Sequence, residues 1–72
     1  MNKDKSDVVK MFEPIIELLD LKVSYDQETE ILEITDNIGE TDYISIAMDS
    51  NKYAAIDIIK GLKRIIDEVK LL

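Results

Sequence analysis

Residues Leu21–Met48 read LKVSYDQETEILEITDNIGETDYISIAM, and their alternation decides the fold. Leu21, Val23 and Tyr25 alternate with Lys22, Ser24 and Asp26. Leu32 and Ile34 alternate with Ile31, Glu33 and Thr35; Ile44, Ile46 and Met48 alternate with Tyr43, Ser45 and Ala47. A period of two marks a strand with one buried face. Three such runs, joined by short polar turns, predict an antiparallel meander.

The register follows from the turns. With Tyr25 opposite Glu30, across a loop of Asp26, Gln27, Glu28 and Thr29, Val23 faces Leu32 and Leu21 faces Ile34. Lys22 then faces Glu33, a favourable opposite-charge pair. With Asp36 opposite Glu40, Leu32 faces Ile44, Glu33 faces Tyr43 and Ile31 faces Ser45. Both hairpins bury the same face, and a one-residue slip in either would turn apolar side chains outward.

The second turn, ITDNIGETDY over Ile34–Tyr43, also resembles a cation loop in composition. An EF-hand loop needs oxygen ligands at alternate positions, glycine sixth and glutamate twelfth. With Asp36 first, Ile38 falls on a ligand position; with Gly39 sixth, Ile34 becomes the first ligand. Both registers fail. As a turn the stretch works, with Asp36 at its start and Gly39 in a left-handed position.

Helices flank the strands. Over residues 5–20, Val8, Val9, Met11, Phe12, Ile15, Ile16, Leu18 and Leu19 recur at helical steps, and Asp4 or Ser6 can cap the start. Pro14 interrupts this pattern, but the pattern continues past it, so one kinked helix is expected. From about Ser50 onward, Ala55, Ile58, Ile59, Leu62, Ile65, Ile66, Val69 and Leu72 keep the helical repeat, with Asp49 or Ser50 as cap. Lys63 with Asp67 and Arg64 with Glu68 have the spacing of helix-surface pairs. Gly61 costs a helix interior about 1 kcal/mol relative to alanine, so close packing against a strand or the first helix is expected there. The fold class is α+β: α-β-β-β-α, one small domain over residues 1–72, with a three-stranded antiparallel meander and both helices packed on one face.

Composition narrows function. The chain has 72 residues and neither cysteine nor histidine. Disulfides, thiolate metal sites and Ser-His-Asp or Cys-His catalysis are therefore excluded within it. No metal or other cofactor is expected. Glu33 and Asp42 lie on neighbouring strands but on opposite faces, which does not suit a paired-carboxylate mechanism. An apolar fraction of 46% is too high for a disordered chain at this charge. The segment MNKDKSDVVK has no apolar run behind its charges, so no secretory signal is expected, and no segment has the length of a membrane span. A cytoplasmic location is expected.

The net charge is −7, which disfavours direct nucleic-acid binding. No Lys or Arg lies between Lys22 and Lys52, whereas Lys52, Lys60, Lys63, Arg64 and Lys70 make the last segment mildly basic. These features point to a small non-catalytic interaction or regulatory module that binds a protein partner, or itself as a homodimer. The expected contact residues are Leu62, Ile65, Ile66, Val69 and Leu72 on the long last helix, with Ile31 and Tyr43 on the uncovered sheet face. The alternative is an acidic inhibitor that imitates nucleic acid through Glu28, Glu30, Asp36, Glu40 and Asp42 and masks a DNA- or RNA-binding protein.

Overall fold

The computed structural model describes residues 5–69. Asp4, Lys70, Leu71 and Leu72, and the side chain of Val69, lie outside the described residues. The order is α1 (Lys5–Leu18), β1 (Lys22–Asp26), β2 (Ile31–Thr35), β3 (Thr41–Ser45) and α2 (Asn51–Val69). The strands form one antiparallel sheet in the order β1-β2-β3. The α-β-β-β-α architecture of the α+β class is thus the one the alternation predicts.

The second hairpin has the expected register: Leu32 faces Ile44, Glu33 faces Tyr43 and Ile31 faces Ser45. Its turn is built by one side chain. Asp36 Oδ1 accepts the N–H groups of Ile38 at 3.0 Å and Glu40 at 2.9 Å. Gly39 takes a φ of 94°, which a side chain would strain.

The first hairpin is displaced by two residues from expectation. Asp26 faces Ile31, Tyr25 faces Leu32 and Val23 faces Ile34. Lys22 consequently faces Thr35 rather than Glu33. The cause is again an aspartate at the turn. Asp26 Oδ1 accepts the Glu28 N–H at 2.9 Å, and its carbonyl accepts the Glu30 N–H at 2.8 Å. The loop therefore begins after Asp26 and closes through Glu30, whose φ is 57°. A shift of two preserves the alternation, so the buried face is unchanged.

β3 is also earlier than expected. Ile46 adds one more bond, from its N–H to the Glu30 carbonyl at 2.9 Å, and then the chain turns. Met48, expected on the strand's apolar side, adopts a φ of 68° and is 96% exposed. The turn toward α2 requires this. Ser50 then caps α2: its carbonyl accepts the Ala54 N–H at 2.8 Å, and its Oγ accepts the Tyr53 N–H at 3.4 Å.

α1 runs through Pro14 as one helix. Pro14 is exposed, where the carbonyl it leaves unpaired can be hydrated. The helix stops two residues short of expectation, in a Schellman closure. The Leu21 N–H donates to the Ile16 carbonyl at 3.1 Å and the Asp20 N–H to that of Glu17 at 3.0 Å. Asp20 takes the left-handed position at φ 61°, and the apolar contact that goes with such a closure falls on Ile16 and Leu21, both buried.

Both helices cover the same sheet face. Val8, Val9, Ile16, Ala54, Ile58, Leu62 and Ile65 close over Leu32, Ile34, Ile44 and Ile46. α1 lies along β1 and α2 along β3, and the helices touch each other. They run in the same direction. Lys5 Nζ, at the start of α1, donates to the Ile46 carbonyl at 3.0 Å, close to where α2 begins. Arg64, near the end of α2, lies 4.0 Å from Asp42, at the sheet end where β1 starts after α1.

Gly61 packs on β3. A Cβ there would lie 2.6 Å from Ile44 Cγ1, with Cδ1 closer still. Gly61→Ala should therefore destabilise the fold by about 1–3 kcal/mol, although alanine is the better helix former. Urea midpoints check this. Shortening the obstructing side chain with Ile44→Val should cost less in the Gly61→Ala background than alone, so that the double variant is more stable than the two single changes predict.

Candidate functional site

The helix layer has an outer side that the sheet does not cover. Met11, Ile15, Leu18 and Leu19 of α1 and its closure stand exposed there, as do Ile59 and Ile66 of α2. Between the helices lies an apolar cleft of about 390 Å³, lined by Phe12, Ile15, Leu19, Ile59, Leu62, Lys63 and Ile66. Its single charged wall residue, Lys63, is tied at 2.9 Å to Asp67 as the spacing predicts. Arg64 points toward Asp42 rather than along its own helix to Glu68.

The residues expected on α2 divide. Leu62 and Ile65 are only 6% and 3% exposed and belong to the core, so they hold the helix down more than they present a surface. Ile66 borders the cleft and is partly open. Val69 is the last residue of α2 with its side chain undescribed, and Leu72 lies outside the described residues. What the periodicity missed is the share of α1. Val8, Val9, Met11, Phe12, Ile15, Ile16 and Leu18 spread over about half the helix circumference, wider than a single core-facing stripe needs. That excess width was the available signal.

Ile31 and Tyr43 lie together on the open sheet face, on the opposite side of the molecule from the cleft. The depression they line also contains Ser24, Asp26, Thr29 and Glu33, and it is much more polar than the interhelical cleft.

The five acidic residues do not form one surface. Glu28 and Glu30 sit at the first turn, while Asp36, Glu40 and Asp42 sit at the second, at the other end of strands roughly 17 Å long. Three of them have internal work. Glu30 pairs with Lys5 at 3.1 Å, Asp36 binds its own turn, and Asp42 lies near Arg64. Asp42 lies opposite Ile34 on the core side of the sheet, whereas Glu33 faces outward, so these two carboxylates do not converge.

No helix among the described residues is long and apolar enough to cross a membrane. No family model, no curated protein and no solved structure matches this chain.

One carboxylate is unusual. Asp49, in the β3–α2 loop, has a buried Oδ2 that accepts no hydrogen bond. Its pKa is raised, first by a side-chain hydrogen bond with Asp57, then through lost hydration and the Asp57 charge, with Lys5 opposing. A raised folded-state pKa stabilises the fold at low pH, and that contribution is lost as pH rises through the raised value. Asp49→Asn removes this titration and can donate where two carboxylates oppose. Its urea midpoint should match the parent near pH 3 and exceed it at pH 7. A variant less stable than the parent at pH 7 would show that the attraction to Lys5 dominates instead.

Proposed function

We propose that this chain is a small, non-catalytic, cytoplasmic interaction module that binds protein through the outer face of its helix layer. The observation that carries this reading is the continuous apolar strip formed by both helices on the side away from the sheet. Single exposed apolar residues are ordinary, but a contiguous strip around a cleft marks a surface meant to be covered. Leu18, one helical turn beyond Ile15 and 81% exposed, contributes little to the core. The lack of histidine and cysteine, and the separation of Glu33 from Asp42, support a binding rather than a catalytic role. The acidic-inhibitor reading has less to rest on, because its five carboxylates are split between two ends of the sheet.

The test is site-specific photo-crosslinking in the living cell. A photoreactive residue at position 18 should give defined adducts that disappear with Ile15→Glu, while the same probe at Thr29 on the sheet side should give none. Circular dichroism of Ile15→Glu should remain that of the parent, since Ile15 is half exposed. No adduct from position 18 and a defined one from position 29 would move the binding surface to the sheet face.

A further inference from the structure

We infer that the occupant of the apolar strip is a second copy of this chain, related by a two-fold axis parallel to α1 and α2, so that α1 of each copy lies on α2 of the other. This rests on the interaction reading above and adds the partner and its geometry.

The levels of the two helices carry the argument. Phe12, Ile15 and Leu19 line the cleft from one side and Ile59, Leu62 and Ile66 from the other. The two series rise by the same steps, three residues and then four, on helices that run the same way. Both series line one cleft on helices that start at the same end of the sheet, where Lys5 reaches the Ile46 carbonyl at 3.0 Å, and matching them sets Phe12 level with Ile59, Ile15 with Leu62 and Leu19 with Ile66. Carried to the outer edges of the layer, the same levels set Glu13 beside the height of Lys60 and Glu17 beside that of Arg64. Within one molecule these charges lie on opposite edges and cannot meet.

A two-fold axis parallel to the helices keeps each residue at its level and exchanges the edges. Glu13 then approaches Lys60 of the other copy, and Glu17 approaches Arg64 of the other copy. Symmetry makes each contact twice. Asp20 falls level with Asp67, whose charge Lys63 already offsets at 2.9 Å. An axis perpendicular to the helices would stack α1 on α1 and set the Glu13 and Glu17 edges against each other, which like-charge repulsion disfavours. The extent of the strip also fits: six large apolar side chains, between 39% and 81% exposed, belong to it, more than the scattered single residues an ordinary surface shows.

The test is the molar mass of the purified full chain by light scattering, from micromolar to millimolar concentration at physiological ionic strength, which screens the repulsion of two chains of net charge −7. The parent should reach twice the chain mass. Leu18→Glu should remain monomeric with an unchanged circular dichroism spectrum. Glu17→Lys and Arg64→Glu should each weaken dimerisation by about tenfold or more, because each places like charges together at two symmetric contacts. Mixed in equal amounts, these two variants should regain a dimer of parental affinity, since the heterodimer restores opposite charges at both contacts. A parent that stays monomeric throughout overturns the second copy as occupant; position-18 adducts with other proteins would then leave the interaction reading standing. A dimer that tolerates Leu18→Glu overturns the surface. A dimer in which the two charge variants fail to pair with each other overturns the axis.

Discussion

Leu32 and Ile34 lie on the central strand, wholly removed from water, and neither helix alone is wide enough to cover the sheet above them. A helix is about 10 Å across and a three-stranded sheet about as wide as two strand spacings plus its edge side chains. Two helices side by side are the smallest cover. That requirement places α1 over β1 and α2 over β3, and it brings the helices into contact above β2. The tight point is Gly61. A side chain there would meet Ile44, so α2 reaches its depth over β3 only with glycine at that turn.

The same geometry creates the surface on which function rests. Two parallel helices lying on a sheet meet along a line, and the outer half of that line remains open. In many helices it is polar. Here α1 continues its apolar residues around to Met11 and Leu18, and α2 brings Ile59 and Ile66 to the opposite bank. The sheet face opposite carries the polar side chains of Ser24 and Glu33 with Tyr43, and its edges are blunted by short strands and by Asp42 beside Arg64. The molecule is therefore one-sided: hydrated on the sheet, apolar on the helices.

The alternation of Leu21–Met48 was enough to read the sheet, because parity is robust. The first hairpin shows why parity is also insufficient. A shift of two residues leaves every apolar side chain on the same face, so hydrophobicity cannot distinguish the two registers. Turn chemistry can. Asp26 folds back on the Glu28 N–H while its carbonyl accepts the Glu30 N–H, which leaves Asp26 on the strand with Ile31 opposite it. The end of β3 was hidden for a different reason. Met48 continues the period of two, but the chain has to reverse before Ser50, and that demand overrides the local pattern.

The division between core and surface on the helices was the least legible part. Periodicity identifies an apolar stripe and its width, but not which edge of the stripe faces the sheet. Ile65 fell on the sheet side, Leu62 became the buried floor of the cleft, and Ile59 and Ile66 stand on its open bank, although all four belong to one repeat. The deciding residue is Gly61, because the side without a Cβ is the side that approaches β3 most closely. From that contact the rotation of α2 follows. Residues one helical step toward α1 must then leave the core and border the cleft, which is where Ile59 and Ile66 stand. A missing side chain thus orients the helix, and the orientation determines which apolar residues remain for a partner.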